Sequence, residues 1–242
     1  MSSRIIGIVG AVMATGDQEG ERRAAVPPDA ASSVDLVRRM ELIALAQGVD
    51  LGQLRPVSGW DIGAEMGTDR GKVIVSLRAE DTFHVRICLH RVFAWSEGWT
   101  NDLVAAVGVA DLWCRGGRLR ELHDRFPFMS WDELAQAFED GDPAATKWRQ
   151  LLSSDWHLRD RPLLEAAHAH PDLRVFYPDI SMGSLMLSRQ PFDLESGLVK
   201  ITPLSEDHYR VTMWLAAFRR DVTSLNEALD VAAACFRSLS DS

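Results

Sequence analysis

Apolar residues recur along this chain with two different periods, and the switches between them mark its elements. Val34, Val37, Met40, Leu42, Ile43, Leu45 and Ala46 fall at helical spacing up to Gly48, which predicts one amphipathic helix. Alternation then takes over. Val73, Val75 and Leu77, and again Phe83, Val85, Ile87 and Leu89, are apolar at every second position, with Glu80-Asp81 between the runs as a tight turn. Residues around Trp60 to Met66 and Arg91 to Trp95 supply further strands. A helix opening at Thr100 carries Leu103, Val104, Val107, Ala110 and Trp113 on one stripe before Gly116-Gly117 stops it.

Three helices are expected next. Ser130-Trp131-Asp132-Glu133 has capping-box spacing, Asp142-Pro143 puts an N-cap before a first-position proline, and Leu163 to His170 forms a helix stopped by Pro171. After Pro178 the strand period returns in Leu185 and Leu187, in Leu198 to Ile201, and in Tyr209 to Leu215. A last helix opens with Ser224-x-x-Glu227 and runs to Leu239. A β-meander followed by a helix therefore occurs twice, and aligning Thr100 with Ser224 sets Val107 opposite Val231 and Ala110 opposite Ala234. The expected fold class is α+β: two β-meander-plus-helix units, an internal duplication, joined by a helical segment. The divisions read from the pattern are a flexible leader at 1–33, the first helix and unit at 34–126, a helical connector at 127–170 and a second unit at 171–242.

The leader combines two signals. Gly16 to Ser33 is rich in Gly, Pro, Ser and charge without an apolar period, and reads as a linker. Ile5 to Ala14 is apolar but too short to span a bilayer, and Thr15-Gly16-Asp17 is a poor signal-peptide cleavage site. It reads as an edge strand or a disordered leader.

Composition narrows the classes. With 242 residues, 46% hydrophobic and 25% charged, the chain has ordinary globular make-up and length for a sizeable core. Its net charge of −9 disfavours binding along a nucleic-acid backbone. The excess is uneven: 15 basic and 17 acidic residues lie up to Phe126, and 11 against 18 after it, so a cationic partner would meet the C-terminal half. Cys88, Cys114 and Cys235 are odd in number and far apart, with no zinc-ligand spacing, and read as reduced, mostly buried thiols of a cytoplasmic protein. No metal, no cofactor and no membrane association are expected.

Familiar catalytic signatures are missing. The chain contains no G-x-G-x-x-G, phosphate loop, H-E-x-x-H or G-x-S-x-G. One strand offers chemistry. The period that buries Phe83, Val85, Ile87 and Leu89 puts His84, Arg86, Cys88 and His90 on the other face, where His84, Arg86 and His90 are candidates for acid–base or anion-binding roles. Glu65 and Asp69 could complete an acid–base pair there. His168 and His170 are read as favourable charges at a helix C-terminus, and Asp155-Trp156-His157 as surface. Trp95 and Trp99, two of eight tryptophans, fall in what reads as a strand-to-helix connection, where they could wall a pocket or dock a peptide, with core packing as the first reading of the tryptophans.

A longer motif carries a family likeness. Trp148 to Leu152, Leu163 to Arg174, Tyr177 to Leu185 and Ser188-Arg189, with a weaker match around Thr100 to Leu103 and Phe126 to Ala135, resemble an uncharacterised actinobacterial domain-of-unknown-function family, number six-one-nine-three, labelled natural product biosynthesis protein. The resemblance spans roughly residues 55 to 238. It implies a biosynthetic context and no particular reaction. If the family shares a site, Arg174, Tyr177, Ser181, Ser188 and Arg189 are its binding candidates here, and Met182 stands where relatives often carry His. Ser181 and Arg189 can equally satisfy backbone groups of a tight passage bracketed by Pro171 and Pro178.

These readings point to an accessory binding protein of bacterial specialised metabolism, holding a peptide, carrier or small-molecule intermediate, with a pathway protein or homodimer as partner. A cofactor-free isomerase, cyclase or hydrolase of the same pathway is the enzyme alternative. An immunity or scaffold protein is the third.

Overall fold

The computed structural model describes residues 32–57, 62–79, 81–89, 93–214 and 216–240, which divide into two compact units at Glu139/Asp140. Residues 1–31 of the leader read at 1–33, together with Trp60, Glu80, His90, Arg91 and Val92, lie outside the described residues, and Ser32 and Ser33 belong to the start of the first helix. The division between the units falls within the stretch 127–170 read as joining them.

In the first unit, α1 (Ser33–Gln47) starts at Ser32, whose side chain accepts from the Asp35 amide while the Asp35 carboxylate accepts from the Ser32 amide. It ends at Gly48, held in the left-handed region at φ 68, which closes the last turn onto the Ala44 and Leu45 carbonyls. Six antiparallel strands follow in chain order: β1 (Leu54–Pro56), β2 (Ile62–Thr68), β3 (Gly71–Ala79), β4 (Thr82–Leu89), β5 (Phe93–Thr100) and, after α2 (Leu103–Cys114) and α3 (Leu119–Arg125), β6 (Met129–Ser130). Alternation decides the faces: Ala64, Met66, Val73, Val75, Phe83, Val85 and Ile87 are buried. Helix α1 packs on β1 and β2, and α2 on β4 and β5. Asp102 caps α2, so Thr100 ends a strand instead of opening the helix. The short α4 (Glu133–Asp140) is capped by Asp132, which accepts from the Ala135 amide; Ser130 belongs to β6.

The second unit repeats the helix–meander–helix order. Asp142 caps α5 (Pro143–Ser153) with proline in its first turn, and α6 (Arg161–Ala169) follows a single 3-10 turn at Asp155–His157. Strands β7 (Tyr177–Ser181), β8 (Ser184–Ser188), β9 (Leu198–Pro203), β10 (Tyr209–Met213) and β11 (Phe218–Val222) form an antiparallel meander, and α7 (Leu225–Ser240) closes it. Pro178 lies inside β7, where an edge strand tolerates a missing donor. Leu185, Leu187, Val199, Ile201, Val211 and Met213 form one apolar face, covered by Trp148 and Leu151 of α5, Leu163 and Leu164 of α6, and Ala228, Ala232 and Phe236 of α7. The Trp148 indole N–H donates to the Phe176 carbonyl at 3.1 Å, so the largest side chain of this core has its polar atom satisfied. The fold class is α+β with two antiparallel meanders, each flanked by helices.

Candidate functional site

The strand that carries the histidine candidates delivers part of its constellation. His84 pairs in register with Ser76 and Trp99, and Arg86 with Ile74 and Glu97, which sets His84, Arg86, Glu97 and Trp99 on one sheet face. The imidazole stacks on the Trp99 indole with centroids 4.4 Å apart, and its Nε2 lies 3.5 Å from Glu97 Oε2. Arg86 Nε is 3.9 Å from the same oxygen. Burial pushes the His84 imidazole below the ordinary histidine value and outweighs the opposing pull of the Glu97 carboxylate. The group is therefore neutral at pH 7 and able to accept a proton.

Other members of that constellation fall elsewhere. The β4–β5 register shifts between Ile87 and Cys88, while β4 keeps its register with β3 there, and Cys88 is buried rather than displayed beside His84. His90 is outside the described residues. Glu65 is held by Lys72 at 3.0 Å, and Asp69 lines a separate cavity of about 470 Å³ with Arg70, Trp113 and Cys114. Arg70 is occupied there: its guanidinium lies 3.5 Å over the Trp113 ring and donates to the Trp113 and Gly117 carbonyls, closing the end of α2. Cys114, expected among mostly buried thiols, is exposed; partial burial of the thiol and Asp111 push its pKa up, which keeps it protonated and a weak nucleophile.

The two tryptophans of the expected connection are both in β5. Trp95 donates to the Arg70 carbonyl and packs against Phe93, Trp113 and Phe138, so it belongs to an aromatic cluster. Trp99 is 54% exposed and is the one that faces outward.

The family-like motif spreads along the β7–β8 hairpin and does not converge on one pocket. Tyr177 and Ser188 face each other at its base, with Tyr177 buried beside Phe192 and under the Lys147 ammonium. Ser181, also buried, pairs with Ser184 at the tip. Arg174 is exposed, and the Arg189 guanidinium donates to the Phe236 carbonyl near the end of α7, a structural tie.

At the hairpin tip the chain builds a concave site that sequence reasoning did not assemble. The two-residue turn Met182-Gly183 has φ 51 and φ 71, the conformation a tight hairpin turn demands and one that a methionine adopts at a cost. This turn, the Leu204–His208 connection between β9 and β10, and the segment from Trp156 into α6 surround a cleft of about 710 Å³. Pro162, Leu163, Pro203 and Tyr209 supply its apolar walls, and Arg159, Asp160 and Glu206 its charges. Around it stand Met182, 92% exposed, Trp156, 83% exposed, and Leu204, 47% exposed. The sequence signals were the oddity of Met182 and the lone Trp156; what brings them together is long-range strand pairing.

Among the described residues no cluster of three or more His, Cys, Asp and Glu side chains could hold a metal, and no helix is long and apolar enough to cross a membrane. Residues 142–236 match a family described as a family of unknown function (DUF6193), and these bounds coincide with the second unit from the start of α5 into α7. No curated protein and no solved structure matches the chain.

Proposed function

We propose that this chain is a cytoplasmic accessory binding protein of actinobacterial natural product metabolism, which holds a peptide, carrier or small-molecule intermediate in the cleft of its second unit. The observation that carries the reading is the cleft itself, ringed by the exposed side chains of Trp156, Met182 and Leu204 within the stretch that matches a family. Exposed large apolar groups gathered at a concavity cost solubility and are a mark of binding surfaces. The biosynthetic context comes from the resemblance of the motif, and an odd number of widely spaced cysteines fits a reducing compartment. The test is native mass spectrometry of the full chain recovered from its producing cells. Mass retained by the wild type and lost in Trp156→Ala supports the reading; mass retained equally by both, or wild-type protein that turns over a pathway intermediate unaided, overturns it.

A second reading, a cofactor-free enzyme, is favoured by the His84–Glu97 contact and the stacked Trp99. A neutral imidazole beside a carboxylate is a general-base arrangement. It lines neither of the two cavities described, which places it second. His84→Gln that leaves turnover of a pathway intermediate unchanged removes it.

A further inference from the structure

The binding reading leaves the class of ligand open, and the distribution of apolar and charged groups around the cleft narrows it. A site for an enclosed small molecule keeps its apolar surface on the inside and buries most of the ligand. Here the largest apolar lining groups stay exposed to solvent: Trp156 on a 3-10 turn, Met182 on a hairpin tip and Leu204 at the start of another connection. An extended occupant laid across the mouth covers all three. Trp, Met, Tyr and Arg, the residue types enriched at protein interfaces, all border it as Trp156, Met182, Tyr209 and Arg159.

Charge gives the second half of the argument. Asp160, at the start of α6, is largely buried and 3.8 Å from His157 Nδ1, and it lies under the hairpin tip with a carboxylate oxygen 3.9 Å from where a Cβ on Gly183 would stand. Glu206, on the β9–β10 connection, also lines the cleft, and among the described residues Arg159 is its one basic lining residue. The chain as a whole carries −9, most of it after Phe126. A basic segment is drawn to this half of the molecule and an acidic one is repelled.

On the strength of the binding reading above, we infer that the cleft docks a basic peptide segment of a partner protein, anchored by an aromatic or aliphatic side chain between Trp156, Met182 and Leu204, with a Lys or Arg directed at Asp160 and Glu206. Met182 in a strained backbone position is kept for its side chain: glycine would relax the turn but remove an anchor contact.

The test selects a random displayed peptide library against the full chain, then measures the enriched peptides by fluorescence anisotropy. Enriched peptides are expected to pair a large apolar residue with nearby Lys or Arg and to weaken at least about tenfold on Trp156→Ala and on Met182→Ser. They are expected to weaken several-fold on Asp160→Asn and on raising salt. Acidic or charge-free winners, or affinities untouched by Trp156→Ala and Met182→Ser, overturn the inference. N-phenyl-1-naphthylamine, an uncharged apolar dye, separates the two failures. If no peptide is enriched while the dye binds wild type and not Trp156→Ala, the peptide class fails and the binding cleft stands; if neither binds, both fail. Sedimentation of the full chain identifies the remaining occupant: a dimer that Trp156→Ala dissolves makes the ligand a second copy and overturns the inference.

Discussion

Met182 combines two costs at one position, a left-handed backbone and a large apolar side chain in water. Left-handed backbone costs a non-glycine residue about 1 kcal/mol or more. Met182→Gly is therefore expected to raise stability by about 0.5–1 kcal/mol, after allowing for glycine's extra freedom in the unfolded chain, while weakening whatever the cleft binds. Urea unfolding followed by tryptophan fluorescence checks the first part. A destabilised variant would show that the side chain packs in the free protein. His84 makes a pH prediction. Burial lowers its folded-state pKa, so the unfolded chain takes up the proton first and stability falls as pH drops below about 6.5. His84→Gln is expected to flatten that part of the profile in unfolding measurements between about pH 7.5 and 5. An unchanged slope would mean that Glu97 compensates the buried imidazole. Both residues were conspicuous in the sequence, His84 through strand alternation and Met182 through its departure from a family pattern. Their surroundings were not. Trp99 reaches His84 by strand pairing, and Leu204 joins Met182 at the cleft across more than twenty residues of chain.

Helix ends were the most legible elements, because a cap is a local contract between a side chain and the next turn. Asp142 before Pro143 and Ser224 before Glu227 both cap as their spacing requires, with Ser224 accepting from the Glu227 amide at 3.2 Å. Ser224→Ala and Asp142→Ala are each expected to cost about 1 kcal/mol by thermal or urea unfolding, the ordinary value of a lost N-cap. Ser130 misled because two caps were on offer: Asp132 serves α4 two residues later, and Ser130 donates its hydroxyl to the Glu97 carbonyl from within β6. Edge strands were the hardest elements to read. β11 is Phe-Arg-Arg-Asp-Val, with an exposed middle and only its ends turned toward the core. Its charges protect an open edge from pairing with another chain, and the same charges hide the strand from a hydrophobic pattern. β1 ends in Pro56 for a related reason. The register shift between β4 and β5 at Ile87 and Cys88 is equally invisible, since it depends on the partner strand.

At the scale of the molecule, the second unit carries everything a domain needs. Its core runs from Trp148 to Phe236 with side chains from three helices and all five strands, and the family match covers nearly the same stretch. A chain segment of on the order of 100 residues with its own closed core is within the size range of independent domains. Residues 140–242 expressed alone are accordingly expected to unfold cooperatively on heating, with a near-UV tryptophan signal from buried Trp148 lost in the same transition as the helical far-UV signal. Trp148→Ala provides the control. It empties the centre of this core and leaves the Phe176 carbonyl without its donor, a loss of about 3–5 kcal/mol that should abolish the transition in the isolated unit. A fragment that keeps helical signal but lacks the near-UV transition would be a partly ordered state and would show that the unit depends on the rest of the chain. If the unit does fold alone, the doubled helix–meander–helix order becomes a division of labour that experiment can address: the cleft and the family match belong to one unit, and the His84 face to the other.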